Sequence, residues 1–201
     1  MTATARTRPG RHRSEVADQA ILSAALEELA SVGYGGLTMA AVIARAGVSS
    51  ATLYRRWPTK QQLVAAALAS LHQEVSDIDT GSLEGDVLTL SKVLADSMSV
   101  RPDDLAEDVI SELRRNPEFR AAINDKFHRP RVALLERILQ RARERGELGG
   151  GISAEVAMAF VSGPLYNRVS VTGEPVSKAF VQISAKGAAA AVRTLAPPEG
   201  P

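Results

Sequence analysis

The sequence contains no cysteine, which excludes disulfide bonds and thiolate metal sites and fits a reducing compartment. No uninterrupted apolar run approaches the roughly 20 residues that a membrane-spanning helix needs, and the N-terminus lacks the apolar core of a signal peptide. We therefore expect a soluble, cytoplasmic protein without a membrane partner. The 201 residues, 45% of them apolar, can bury one sizeable core or two small ones.

Residues with catalytic chemistry are sparse. The three histidines, His12, His72 and His128, are far apart, and the sequence contains no G-x-S-x-G, H-E-x-x-H, P-loop or G-x-G-x-x-G motif. Neighbouring acids such as Asp103 and Asp104 are better explained as charged faces of short helices. We predict no catalytic residue, no metal site and no cofactor. An enzyme with its active site in a helical bundle is kept as an alternative.

Positive charge is concentrated near the N-terminus. Residues 1–75 carry eight Lys and Arg against five Asp and Glu, whereas residues 76–201 carry 16 against 18. Four arginines precede the first acidic residue, Glu15. A basic arm of this kind favours a polyanionic partner, although a solvated, disordered tail is an equal alternative. The four residues are Arg6, Arg8, Arg11 and Arg13.

The stretch 38–57, TMAAVIARAGVSSATLYRRW, predicts two short helices joined by a tight turn. Gly47 tolerates the positive φ that ends the first helix, and Ser49 supplies an oxygen that caps the second. Thr38 is the corresponding cap of the first helix, and an apolar residue precedes each cap, as in a hydrophobic staple. Two capped helix starts this close together predict a helix-turn-helix.

The second helix of this pair, the third in the chain, is expected over about 50–57 with Leu53 and Trp57 buried. At 100° per residue, the opposite face then points outward. It presents a small residue, hydroxyl groups and an arginine, which can meet base edges and phosphates in a major groove. An ordinary solvated surface helix is the alternative. The outward residues are Ala51, Thr52, Tyr54 and Arg55.

A fourth helix is expected after Pro58, with Thr59 and Gln62 forming a capping box at its start. Lys60 then lies in its first turn, where the helix dipole disfavours a cation. A bound anion such as a DNA phosphate would remove that conflict, whereas an exposed lysine tolerated at small cost is the alternative.

Residues 21–67 resemble the DNA-binding domain of TetR-family transcriptional regulators. The resemblance is carried by a first helix that ends at the Gly-Tyr pair 33–34 and by the stretch LTMAAVIARAGVSSATLYRRWPTKQQLVAAAL. It implies phosphate contacts from Thr38, Tyr54 and Lys60, and base contacts from the outward face of the third helix. The predicted DNA-contacting residues are Thr38, Ser49, Ser50, Ala51, Thr52, Tyr54, Arg55, Arg56, Lys60, Arg11 and Arg13.

Two positions depart from the family pattern. Arg56 stands where the family commonly has a histidine or an aromatic residue, and Gln61 stands where it commonly has glutamate. Neither departure affects the expected fold. An extra arginine beside Arg55 could change the operator sequence that is read, or add a phosphate contact.

The rest of the chain is predicted to be helical after a linker over 77–86 that is rich in acid, glycine and serine. Pro130 lies inside one expected helix and predicts a kink at Arg129. The expected helices cover about 86–99, 103–114, 118–145, 154–171 and 176–195.

The last two expected helices are rich in small and apolar residues and poor in charge. Such faces need cover, and packing on a twofold mate is a more economical interpretation than burial within one domain. The resemblance agrees, because TetR-like regulators typically dimerise through their last two helices. We therefore predict a homodimer formed through these helices.

The resemblance also implies a small-molecule effector, bound in a pocket inside the C-terminal helical bundle. Tyr166 and Asn167 are the favoured candidates, because they are polar residues within an apolar helix. Plain core packing is the alternative for the apolar members of the set. The full set is Met98, Phe119, Phe127, Leu134, Phe160, Tyr166 and Asn167.

These features together predict an all-α protein of about nine helices. Its expected parts are a basic disordered arm (1–13), a helix-turn-helix DNA-binding domain (14–75), a ligand-binding and dimerisation domain (76–196) and a disordered tail (197–201). The predicted function is sequence-specific transcriptional regulation, most often repression, with release from a palindromic operator on double-stranded DNA by a small-molecule effector. The alternative is a helical small-molecule-binding or dimerisation module without DNA-binding activity.

Overall fold

The computed structural model of the protein describes residues 9–71, 77–99 and 103–198, with side chains described for 15–71, 77–98 and 109–198. These residues form helices and connecting segments without a strand, which confirms the all-α class. Residues 117–144 are helical without a break, so the two α-helices and the π-helical turn in this range count as one segment. Counted in this way, the described part of the chain contains nine helical segments, as predicted. The helices are α1 (Pro9–Gly36), α2 (Met39–Ala46), α3 (Ser50–Arg56), α4 (Lys60–Ser70), α5 (Leu83–Ser99), α6 (Asp103–Arg115), α7 (Pro117–Ile123), α8 (Arg129–Glu144), α9 (Ala154–Ser170) and α10 (Lys178–Leu195), with a π-helical turn (Asn124–His128) between α7 and α8.

The chain divides into two compact units. Unit 1 comprises Met1–His72 with Pro102–Lys126, and unit 2 comprises Gln73–Arg101 with Phe127–Pro201. The sequence predicts a single division after residue 75, and the structure differs by placing α6 and α7 in unit 1. The physical reason is packing, because α6 lies against α1 and α7 lies against α4. An amphipathic pattern indicates that a helix has a face to bury, but not which core covers it.

The central helix of unit 1 is α4. Its residues 63–68 are all buried, so this helix is covered on every side. Both α1 and α7 pack against it, and α1 buries Ile21, Ala25 and Leu29 at helical spacing. It ends at Ser70. These helices form the scaffold on which α2 and α3 are mounted.

The first helix begins at Pro9, within the basic arm over 1–13 that the sequence predicts to be disordered. The predicted disorder is therefore wrong for residues 9–13, which are helical. Proline is well tolerated at a helix start, because its missing N–H would have no intrahelical partner there. At the other end, Gly33 interrupts the helix with a φ of 67°, at the predicted stop. Residues 1–8 and 199–201 lie outside the described residues, so disorder there stays a prediction.

Unit 2 is built from α5, α8, α9 and α10. The last helix packs against α5 and α9, and α8 packs against α9. Buried residues recur at helical spacing along α5, where Leu83, Val87, Leu90 and Leu94 enter the core. One side of α8 is buried as well, with Leu135, Ile138 and Leu139 in the core and Val132 half-buried against it.

The kink predicted near Pro130 takes the form of the π-helical turn that directly precedes α8. Because Pro130 has no N–H, the carbonyl of Lys126 cannot receive the usual helical hydrogen bond from it. A π-helical turn accommodates this lost bond, and the chain then continues as α8.

The predicted linker over 77–86 is shorter than expected, because α5 begins three residues earlier and includes a buried Asp86. The Asp86 carboxylate accepts hydrogen bonds from the amide and the hydroxyl of Thr80, at 2.6 and 2.8 Å. Arg141 of α8 donates two hydrogen bonds to Asp77, at 3.1 and 3.2 Å. The segment before α5 is thereby fastened to unit 2.

Candidate DNA-binding surface

The helix-turn-helix is formed by α2 and α3, and each predicted cap is present. The hydroxyl of the exposed Thr38 accepts a hydrogen bond from the amide of Ala41 (3.2 Å) at the start of α2. Gly47 ends α2 in the left-handed conformation with a φ of 65°. The hydroxyl of Ser49 accepts a hydrogen bond from the amide of Thr52 (3.3 Å) at the start of α3. Local hydrogen bonds and the left-handed conformation of Gly47 therefore determine the turn between α2 and α3.

Two faces of α3 are clearly distinguished by exposure. Leu53 is fully buried, and Trp57 is half-buried at the C-terminal cap. Ala51 and Arg55 are exposed on the other side, and Tyr54 is 47% exposed. The face predicted to point outward is thus free for a partner, while its contacts to DNA stay a prediction.

The hydroxyl groups at the start of α3 have local partners. Ser49 and Ser50 are exposed, and Thr52 is half-buried. The Thr52 hydroxyl lies 2.9 Å from the Ser49 hydroxyl, within hydrogen-bond distance. These two groups already serve the helix cap, so Tyr54 and Arg55 are the more available side chains for DNA.

Arg56 does not share the outward face with Arg55, and its DNA contact stays a prediction. Its guanidinium pairs with the carboxylate of Asp18 on α1 and donates to the carbonyl of Thr52 at 3.2 Å. The side chain is 17% exposed. The physical reason is the turn of about 100° between adjacent residues of a helix, which directs Arg56 towards α1. It fixes α3 to the scaffold.

Lys60 lies at the start of α4, where the hydroxyl of Thr59 accepts a hydrogen bond from the amide of Gln62 at 3.2 Å. Its ammonium is 4.4 Å from the centroid of the Tyr34 ring and donates to the carbonyl of Gly35 at 3.4 Å. Burial lowers the pKa of Lys60. Lys60, which is predicted to contact a phosphate, is therefore a half-buried cation with partners inside unit 1.

Sequence reasoning missed the ion pairs that fasten α2 to α1. Arg45 Nε lies 2.7 Å from the Glu28 carboxylate, and Arg45 Nη1 lies 3.1 Å from the Glu27 carboxylate. The adjacent acids Glu27 and Glu28 are visible in the sequence, but Arg45 can be identified as their partner only from the folded structure. These ion pairs hold α2, the helix that precedes α3, against α1.

Arg11 and Arg13 belong to the first turns of α1, whose side chains are outside the described residues. Their predicted role as basic DNA contacts stays a prediction.

Two sequence profiles match the chain over both parts of its length. Residues 21–67 match the profile described as "Bacterial regulatory proteins, tetR family". Residues 77–186, more than half of the chain, match the profile described as "Tetracyclin repressor-like, C-terminal domain". The chain belongs to the TetR family. It is a DNA-binding transcriptional regulator of the helix-turn-helix type.

Relatives of this TetR-family chain are similar over most of its length. The HTH-type transcriptional regulator Rv1556 of Mycobacterium tuberculosis is 32% identical over 163 residues, covering 81% of this chain and 80% of the relative. The DNA-binding transcriptional repressor TetR of Mycobacteroides abscessus is 31% identical over 173 residues, covering 84% and 90%. The solved structure of the TetR family transcription regulator SCO0332 has a TM-score of 0.66 at 26% identity, covering 88% of this chain and 98% of that one.

The seven residues predicted to line the effector pocket of this TetR-family regulator divide between the two units. Phe119 is buried in unit 1, and Phe160, Tyr166 and Asn167 are exposed on α9. Helical spacing shows which residues share a face, but the same face can be core or surface, so the lining of the effector pocket stays a prediction. The remaining three are buried or half-buried in unit 2: Met98, Phe127 and Leu134.

A cavity of about 350 Å³ lies after α8, at a glycine-rich connection. None of its lining residues is among those that the sequence predicts for the effector pocket. The cavity is lined by Arg143, Gly146, Leu148, Gly149, Gly150 and Pro198.

Within the described ranges, no group of three or more His, Asp or Glu side chains could hold a metal ion. None of the helices in the described part of the chain is long and apolar enough to cross a membrane.

Proposed function

We propose that this TetR-family regulator is a homodimeric repressor that binds a quasi-palindromic operator and leaves it when a small-molecule effector binds unit 2. The observation that carries the proposal is the outward face of α3, with Ala51, Tyr54 and Arg55 exposed on a helix anchored by Leu53 and Arg56. Repression is inferred from the relative in Mycobacteroides abscessus, which is named a repressor.

The base-reading residue in this proposal is Arg55. An exposed guanidinium at a major groove can donate two hydrogen bonds to the O6 and N7 atoms of guanine. Thr38, Tyr54 and Lys60 are proposed to contact phosphates, which fix the register of the protein on the duplex but carry no sequence information. In this proposal the base contact therefore gives sequence specificity, and the phosphate contacts give affinity for DNA of any sequence.

The homodimer is supported by exposed apolar residues on the last two helices. Along α9, Val156, Phe160 and Tyr166 are 49%, 39% and 46% exposed, with the small residue Gly163 between them on the same face. On α10, Ile183 is 72% exposed. Apolar patches of this kind mark interaction surfaces, and a twofold mate is the commonest partner. We therefore reassign Phe160 and Tyr166 from the effector pocket to the dimer interface.

Release by an effector requires a molecule that binds one conformation of the protein better than the other. We place the effector site in unit 2, whose four helices enclose a large apolar core, because helical bundles are recurrent ligand sites. The protein acts in the cytoplasm in this proposal, where the DNA of a bacterial cell lies. It acts as a regulator and not as an enzyme.

Footprinting and gel shifts on the DNA that flanks the protein's own coding region test the proposal. We expect one protected site with approximate twofold symmetry, and an affinity that falls steeply as the salt concentration rises. A folded dimer that protects no sequence, even at low salt, would instead favour a helical ligand-binding or dimerisation module without DNA-binding activity.

A further inference from the structure

Three side chains from different helices of unit 1 form a continuous stack. The ring of Phe119 on α7 lies 4.7 Å from the ring of Tyr34, centroid to centroid, with 48° between the ring planes. The ammonium of Lys60 on α4 lies 4.4 Å from the centroid of the same Tyr34 ring. We call this arrangement the Phe119–Tyr34–Lys60 stack.

The geometry of the stack makes the position of Lys60 depend on both rings. Tilted aromatic pairs at this centroid distance are favourable, and a cation within about 6 Å of a ring centroid is attracted to the face of the ring. Phe119 is completely buried and Tyr34 is 6% exposed, so neither ring has room to reorient freely. The buried rings therefore form a fixed base for the half-buried ammonium.

The position of Phe119 is in turn set by the start of α7. The amide of Phe119 donates to the side chain of Asn116, the N-terminal cap of α7, at 3.0 Å. A second link joins α7 to α4, because the Gln61 amide group donates to the Glu118 carboxylate at 3.3 Å. Both the stack and this hydrogen bond therefore tie α7 to the first turn of α4.

We propose that Tyr34 and Phe119 are positioning residues for the DNA-phosphate contact of Lys60, so that α7 sets the strength of DNA binding through the stack. This inference rests on the proposed DNA contact of Lys60. If the two rings served only to pack the core, replacing either of them would lower the stability of unit 1 but would leave the contribution of Lys60 to DNA binding unchanged. The two roles therefore differ in a measurable way.

A spectroscopic signature tests the stack without DNA. The chain contains five lysines, so the Lys ε-CH₂ signals of the full-length protein can be resolved after selective ¹³C labelling. We expect the Lys60 ε-CH₂ protons to be shifted upfield by the Tyr34 ring, with the shift kept in Tyr34→Phe and lost in Tyr34→Leu. A Lys60 signal that does not respond to Tyr34→Leu would overturn the proposal.

A double-mutant cycle on operator DNA tests the functional part. We expect Phe119→Leu to weaken binding about tenfold and to reduce the salt dependence by about one phosphate contact. In the Lys60→Ala background, Phe119→Leu should cause almost no further loss, because the contact that it positions is already absent. Ile21→Ala, a core substitution on α1, is the control, and its effect should be the same with or without Lys60.

The outcomes distinguish this inference from the function on which it rests. Wild-type protein that binds no DNA would sink both the proposed function and this inference. Wild-type protein that binds DNA, with additive losses for Phe119→Leu and Lys60→Ala, would sink the inference alone. If Phe119→Leu does not fold, the Tyr34→Phe and Tyr34→Leu pair replaces it in the cycle, with rescue by phenylalanine expected.

Discussion

At the scale of single residues, α3 gives opposite roles to two adjacent arginines. Arg55 is exposed on the outward face, whereas Arg56 pairs with Asp18 and is largely covered. The outward position of Arg55 is predictable, because it follows from helical geometry once Leu53 is taken as buried. The partner of Arg56 is not predictable, because Asp18 lies on another helix far earlier in the chain.

Arg55 and Lys60 should contribute to DNA binding in different ways. Arg55→Ala removes a base contact, so we expect operator affinity to fall by about 1–3 kcal/mol while non-operator affinity changes little. Lys60→Ala removes a phosphate contact, so we expect both affinities to fall by a similar factor, with a smaller salt dependence. Titrations of each variant on operator and non-operator duplexes measure the two effects, and the reverse pattern would refute this division.

Arg56 should act through stability. Arg56→Ala removes the partner of a half-buried carboxylate and a bond to the Thr52 carbonyl, so we expect unit 1 to lose about 1–2 kcal/mol of unfolding free energy. Sequence preference should be unchanged, because the side chain faces α1. Chemical denaturation and operator selection measure the two quantities. Arg55→Ala is the matched control, with unchanged stability expected, and altered base preference in Arg56→Ala would contradict this role.

At the scale of whole elements, the best predicted features are those that depend on short-range chemistry. The caps Thr38, Ser49 and Thr59 lie where the sequence predicts them, because each bonds to an amide three residues later. The segment before α5 is different. Its acid and glycine content suggests a plain linker, yet Asp77 is bound by Arg141, 64 residues further along the chain.

Asp77 should make the stability of unit 2 depend on pH. The hydrogen bonds from Arg141 lower the pKa of Asp77 below its ordinary value of 3.8. The folded state therefore favours the charged carboxylate, and this stabilisation is complete above about pH 4 and is lost as the pH falls through the lowered pKa. We expect Asp77→Asn to be less stable than the wild type at pH 7, by a small amount because the pair is exposed.

Denaturation of Asp77→Asn and wild-type protein at pH 7 and in steps below pH 4 measures this effect. The difference in unfolding free energy between them should shrink in acid, because the wild-type carboxylate becomes neutral there. Asp96→Asn changes another exposed carboxylate of unit 2 and is the control. A difference that persists at the lowest pH would mean that Asp77 acts through packing and not through its charge.

At the scale of the whole molecule, the division into units depends on information that the local sequence does not carry. Both α6 and α7 have apolar faces of the expected kind, but Val109 and Phe119 are buried in unit 1 and not in the C-terminal unit that the sequence predicts. The same ambiguity affects the predicted effector pocket, because Phe160 and Tyr166 lie on an exposed face of α9. Periodicity identifies a face, and only the tertiary partner decides its use.

The exposed apolar face of α9 and α10 leads to a prediction about assembly. Ile183→Glu places a charge on a side chain that is 72% exposed, so the fold of the subunit should be unaffected. In the proposed dimer that charge would be buried without a partner, which opposes association. Sedimentation should therefore show a monomer where the wild type shows a dimer. Lys92→Gln, on the exposed surface of α5, lowers the net charge by the same single unit, so it is the charge-matched control and should remain dimeric.

The affinity of Ile183→Glu for operator DNA should then show that the monomer no longer engages the second half-site. A dimer that engages two half-sites gains about 100-fold or more in affinity over one subunit, because its second contact is intramolecular. We expect Ile183→Glu to lose about this factor on the full operator, while its affinity for an isolated half-site stays that of one wild-type subunit. Equal losses on both duplexes would mean that the substitution damages the reading surface itself, and an Ile183→Glu protein that stays dimeric would exclude this face as the interface.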